Sequence, residues 1–191
     1  MRNRHLSMMA LVSLTVVANA AVPRPGVKPE AEVYATLIHS SSTTRERSVI
    51  VVKDVAVMMP TLNSSSAAGR QEFDGIPDAL LRLAGRASPT SALRHNVADF
   101  PAGTRLVPEA EIESIFEPNL ENGWTIFKRR YASDKWLSFS QVLLTDDGLD
   151  ALVYYETRCG GLCGEGGYTW LHRDLGQSHW LIRRKIIRWK S

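Results

Sequence analysis

The last third of the chain alternates short β-rich runs with turn residues, and that rhythm constrains the fold more than any other stretch. The runs are Trp136 to Leu144, Leu149 to Thr157, Tyr168 to Arg173 and Trp180 to Trp189. Asp146-Asp147-Gly148 suits a hairpin turn because glycine accepts the positive φ required there, and Gly176 serves likewise before the last run. This spacing predicts an antiparallel meander over 136–189. Strand alternation puts Tyr168, Trp170 and His172 on one face and Thr169, Leu171 and Arg173 on the other. The aromatic face is expected to be core, receiving Trp124 and Phe127.

The preceding residues read mostly as helices. Pro29, Glu30 and Glu32 suit a helix start, and Val33/Leu37 and Tyr34/Ile38 repeat at i, i+4 up to His39. A polar loop, Ser40 to Arg47, leads to Ser48–Met59, where β-branched density predicts a strand. Pro60 to Glu72 is small and polar and reads as a surface loop. Pro77 opens a helix with Leu80, Leu81, Leu83 and Ala84 inward and Gly85 as its stop. Ser88-Pro89 starts another, with Leu93 and Val97 buried. Pro108 precedes an acidic first turn and an Ile112, Ile115, Phe116 stripe, and Asn122 is the expected cap of a helix reaching Tyr131. Helices followed by strands predict α+β architecture, with N-terminal helices packed on a C-terminal antiparallel four- to five-stranded sheet. The expected domain is 30–191: helix and strand over 30–59, a helical part over 75–131, and the meander.

Residues 1–20 have a different logic. Arg2 and Arg4 precede an apolar stretch from Leu6 to Val17, and Ala18-Asn19-Ala20 supplies the small residues of a cleavage site, which is the pattern of an export signal. The apolar run is too short to cross roughly 30 Å of hydrocarbon. Residues 21–29 are proline-rich and read as an extended lead-in. The chain has 23 basic and 20 acidic residues, so losing Arg2 and Arg4 leaves it nearly neutral. That balance argues against a nucleic-acid partner. The expected location is outside the cytoplasm, in a periplasm or secreted.

Cys159-Gly160-Gly161-Leu162-Cys163-Gly164-Glu165-Gly166-Gly167 lies between the second and third expected strands. Five glycines in nine residues imply an unusual backbone path. In an oxidising compartment, two cysteines four apart in a loop are expected to pair, Cys159 with Cys163. A redox pair is the sharper alternative, but C-x-x-x-C between strands is unlike the C-x-x-C helix start that lowers a thiol pKa. A metal would need His172 or His179 to converge on the thiols. Neither a cofactor nor a metal site is expected.

The final strand carries Arg183, Arg184, Lys185, Arg188 and Lys190 without an acid. These form a candidate surface for an anionic partner, or else charges that protect a sheet edge. Glu109, Glu111, Glu113, Glu117 and Glu121 form an acidic counterpart. The motifs of serine hydrolases, zinc proteases and P-loop enzymes are absent from the sequence, and His39, His95, His172 and His179 have no diagnostic spacing.

Leu137-Ser138-Phe139-Ser140, Ala151-Leu152-Val153-Tyr154, Cys159 to Gly164 and the closing Trp189-Lys190-Ser191 resemble the C-terminal pattern of a group of uncharacterised bacterial exported proteins, in which a β-meander carries a CGGLCG-type hairpin. The resemblance covers about the last third of the chain. It implies an envelope or secreted bacterial origin and carries over no catalytic residue. The reading is therefore an exported, non-enzymatic binding or accessory protein of the bacterial cell envelope, whose partner is an envelope protein or an anionic ligand. The alternative is an extracytoplasmic enzyme, a hydrolase, with its site between sheet and helices.

Overall fold

The computed structural model describes residues 27–41, 49–60, 62, 71–86, 95–117, 120–160 and 163–191. The leader over 1–20 lies outside them. So do most of the lead-in, most of the loops Ser40–Arg47 and Pro60–Glu72, and the helix expected from Ser88-Pro89 through Leu93. Val97, assigned to that helix's buried face, sits in a 3-10 turn, Val97–Asp99, and is exposed.

The elements are α1 (Pro29–Ser41), β1 (Ile50–Lys53), α2 (Asp78–Arg86), β2 (Thr104–Val107), α3 (Glu109–Phe116), α4 (Leu120–Tyr131), β3 (Trp136–Phe139), β4 (Leu143–Leu144), β5 (Asp150–Arg158), β6 (Gly164–His172) and β7 (Leu181–Lys190). The fold is α+β, but its sheet is larger than expected and mixed. Seven strands run in the order β2-β1-β3-β5-β6-β7, with β4 paired to β5. β1 pairs parallel with both β2 and β3, and the remaining pairs are antiparallel. β2 was not legible as a strand, because Thr104 to Val107 is only four residues long and has no clear alternation. The strand expected over Ser48–Met59 is likewise confined to Ile50–Lys53.

β2 and β3 flank β1 and run parallel to it, so the chain must cross over between them, and α3 and α4 make that connection. That placement decides where their aromatics go. Trp124, Phe127 and Tyr131 pack with Val51, Val107 and Trp136 at the β1 end, whereas the Tyr168 face of β6 is covered by Phe73, Ile76, Leu80 and Ala84. The expected contact of Trp124 and Phe127 with the Tyr168 face is therefore corrected. α4 also begins at Leu120, two residues before the expected cap Asn122. Gly123 is tight there: a Cβ would stand 2.5 Å from the Phe116 ring.

The other sheet face belongs to α1. Val33, Tyr34, Leu37 and Ile38, the stripe read from the sequence, are buried against Val52, Leu137, Phe139 and Val153. At about 1.5–3 kcal/mol for each large apolar side chain removed from water, this contact alone anchors the helix. Arg173 ties down its first turn, reaching Glu32 at 3.2 Å and stacking its guanidinium over Trp180. The sheet is thus the middle of three layers, with α1 on one face and α2, α3 and α4 on the other. Among the described residues no helix is long and apolar enough to cross a membrane.

Candidate functional site

The site is set by how β7 is laid on β6. Their register slips between Gly166 and Gly167 and again between Trp170 and Leu171, leaving Arg188 and Arg183 without a directly opposed residue. Each slip adds a residue to β7 and turns its side chains relative to the sheet. Residues opposed across a pair share a face, so Lys185 (opposite Thr169) and Lys190 (opposite Glu165) lie on the α1 face. Arg184 and Trp189, opposite Trp170 and Gly166, lie on the other.

The basic cluster of β7 is therefore divided. Arg184 donates to the Asp74 carbonyl, Arg188 reaches the Glu72 carboxylate at 2.6 Å, and Arg183 is exposed at a slip. The acidic stretch does not face them. Glu109 pairs with Lys53 at 2.6 Å, and Glu111 accepts from the Tyr131 hydroxyl at 2.6 Å.

Gly164, Gly166 and Gly167 are strand residues of β6, which begins at Gly164 and not at Tyr168 as expected. A Cβ at Gly166 would lie 2.2 Å from Trp189 Nε1, and one at Gly167 2.1 Å from the Ile186 carbonyl oxygen. Glycine here is what lets the Trp189 indole lie flat on β6 and β7 close in at the slip. The indole N–H donates to the Tyr154 hydroxyl at 3.0 Å, and Arg158 stacks over the ring at 4.3 Å. Arg158 pairs with Gly164 at the end of the β5–β6 ladder. Just beyond it the expected disulfide joins Cys159 to Cys163, with Cα atoms 4.9 Å apart.

On the α1 face, Gly167 stands opposite Tyr155 and contributes no side chain, and a cavity of about 390 Å³ opens between the end of α1 and strands β5, β6 and β7. Tyr155, Thr157 and Thr169 form its floor, Leu37, Ser40 and Ser41 its helix wall, and the disulfide one end. Leu137 and Phe139 make its depth apolar, while Glu165, Lys185 and Lys190 line the mouth. Thr169 is fully buried, and among the described residues its Oγ1 has no hydrogen-bond partner. Thr104 Oγ1 and Trp180 Nε1 share that condition, but neither lines this cavity.

The charges at the mouth are unevenly satisfied. The Tyr155 hydroxyl donates to Glu165 Oε1 at 2.9 Å, and Glu165 Oε2 lies 3.8 Å from Lys190 Nζ. Burial pushes the Tyr155 hydroxyl well above its usual range, and the Glu165 carboxylate adds to this, so it remains a protonated donor. Lys185 stands over the Tyr155 ring, Nζ 5.8 Å from the centroid, and among the described residues forms no ion pair. At the mouth Lys185 and Lys190 thus stand beside Glu165 and Ser191, and among the described residues Lys185 is in no ion pair.

No described histidine lines this cavity. His95 is buried against Tyr34 and Phe100, its Nε2 3.1 Å from the Phe139 carbonyl, and burial lowers its pKa. His172 is held between Asp150, at 3.0 Å, and Asp174, at 3.5 Å. His39 is hydrogen-bonded to the Ala35 carbonyl of its own helix. His39 and His179 both border a broader groove of about 600 Å³ beside α1. Two polar groups of that groove are already used, Glu32 by Arg173 and Thr36 by the Glu32 carbonyl. Among the described residues no group of three or more potential metal ligands converges.

Sequence reasoning placed Thr169 on the correct face but missed its role, together with Tyr155, Thr157 and Glu165. The available signal was a threonine interrupting an apolar strand face. No family model, curated protein or solved structure matches the chain.

Proposed function

We propose that the chain is an exported, non-enzymatic binding protein of the bacterial cell envelope, one of the group it resembles through its CGGLCG hairpin, and that it holds a small, partly apolar molecule in the α1-face cavity. The observation that carries this reading is Thr169: among the described residues its wholly buried hydroxyl has no partner, which costs roughly 1–3 kcal/mol, and the residue lines the floor of a cavity of ligand size. A bound molecule with one polar atom in the right place supplies the missing partner. The depth lined by Leu37, Leu137 and Phe139 favours an apolar body, and the charged groups at the mouth favour a polar end.

Export rests on the leader over 1–20 and fits a disulfide at Cys159 and Cys163. The hydrolase reading has less support, because catalysis of that kind needs a nucleophile within reach of a base, and neither His95 nor His172 has such a neighbour in its hydrogen bonds.

Thermal-shift measurements with a panel of single-chain amphiphiles test the binding reading. Wild-type protein is expected to gain melting temperature with at least one of them, and Thr157→Phe, which fills the floor, to lose that response. A response of the same size in Thr157→Phe removes the cavity from the account.

A further inference from the structure

Resting on that reading, we propose that the ligand is a medium-length amphiphile with an anionic head, its carboxylate held at the cavity mouth by Lys185 and its chain laid against Leu37, Leu137 and Phe139. Size comes first. A cavity of about 390 Å³ lies within the range that takes a small organic molecule, and a ten-carbon carboxylate is the probe chosen for it.

Charge comes second. Glu165 is already engaged by the Tyr155 hydroxyl and faces Lys190, so its negative charge is met within the protein. Among the described residues Lys185 has only the face of the Tyr155 ring. An ammonium held by an aromatic face and by no carboxylate gains from an incoming anion, whereas a cationic head would be repelled by it. Placement comes third. Lys185 is opposed to Thr169 across the β6–β7 pair, so the free cation and the unpartnered hydroxyl lie side by side. A carboxylate at Lys185 would stand beside Thr169, whose wholly buried hydroxyl must turn toward the cavity to donate to it. The disulfide and Leu137 then bound the space left for the chain.

The β7 bulges are what bring this pair together. Without the slip between Trp170 and Leu171, the residue opposite Thr169 would be Arg184 counted from Leu181, and the lysine would face the α2 side.

Calorimetric titrations with decanoate, decanol and decylammonium on wild type, Lys185→Met, Thr169→Val and Thr157→Phe test the proposal. Decanoate is expected to bind wild type about tenfold more tightly than either of the others, the margin of one charge-assisted contact. Lys185→Met keeps the apolar stem and should remove that preference while still binding decanol. Thr169→Val should weaken decanoate, and Thr157→Phe should abolish binding of all three. Decanol or decylammonium binding wild type as tightly as decanoate, with Thr157→Phe inactive, overturns the anionic class and leaves the cavity reading standing. A preference for decanoate that survives in Lys185→Met overturns the assignment of the head to that lysine. No binding of any of the three overturns both.

Discussion

Thr169 is the residue at which stability and binding pull apart. Valine has nearly the same shape and no hydroxyl to leave unpaired, so Thr169→Val is expected to stabilise the ligand-free protein by about 1 kcal/mol. In a chain of this size that is a rise of roughly 2–4 °C in melting temperature. A fall in melting temperature would show that the hydroxyl has a partner in solution. His95 makes a second residue-scale prediction. Burial lowers its pKa in the folded state, with the Phe139 carbonyl, Asp99 and Asp54 opposing that shift. The unfolded chain therefore binds a proton near pH 6.5 that the folded one resists, and stability is lost as pH falls below about 6.5. Replacing His95 with Gln, which can still donate to the Phe139 carbonyl, should flatten the dependence of unfolding free energy on pH below about 6.5. An unchanged slope would place the titration elsewhere.

Among the elements, the β5–β6 hairpin carries most of the site. Its ladder runs nine opposed pairs from Asp150↔His172 to Arg158↔Gly164, and the disulfide closes the loop at its tip. So small a ring restricts little unfolded-chain entropy, and Cys159→Ser with Cys163→Ser should cost about 2 kcal/mol or less. The same variant loosens one end of the cavity and should weaken ligand binding. Equal affinity in the variant would make the bond purely structural. Much of this hairpin was legible. Asp147-Gly148 and Gly176 mark the turns on either side of it, with φ of 67° at Gly148 and 79° at Gly176, and the cysteines at its tip were expected to pair from compartment and spacing. What was not legible was that Gly164 to Gly167 is strand. Glycine disfavours strands on its own account, and the reason for it here, Trp189 and the Ile186 carbonyl on β7, lies more than 15 residues away. The short strand β2 was hidden for a similar reason, since its place is fixed by its pairing to β1. The α1 and α3 stripes were read correctly because helical periodicity is local.

At the scale of the whole molecule, two kinds of packing share one sheet. The crossover helices α3 and α4 enclose one end, and α2 covers the rest of that face. Among the described residues α1 is the helix on the other face, over β1, β3 and β5 with Phe100 and Trp180 beside it, and the cavity lies between its end and strands β5, β6 and β7. The edge strand β7 is exposed along much of its length, yet its two register slips and its basic residues oppose pairing with another sheet. Function at this scale depends on address. Material exported from a bacterial host should begin at Ala21, read by N-terminal sequencing, and a chain still beginning at Met1 would overturn the leader assignment. The account's central claim is that the α1-face cavity is a binding site, and the most direct measurement is a titration of the protein with decanoate followed by amide ¹H–¹⁵N spectra. The account predicts saturable shifts concentrated at Leu37, Ser41, Phe139, Tyr155, Thr169 and Lys185. Shifts gathered along the groove of His39 and His179 instead, or no saturable shift at all, would contradict it.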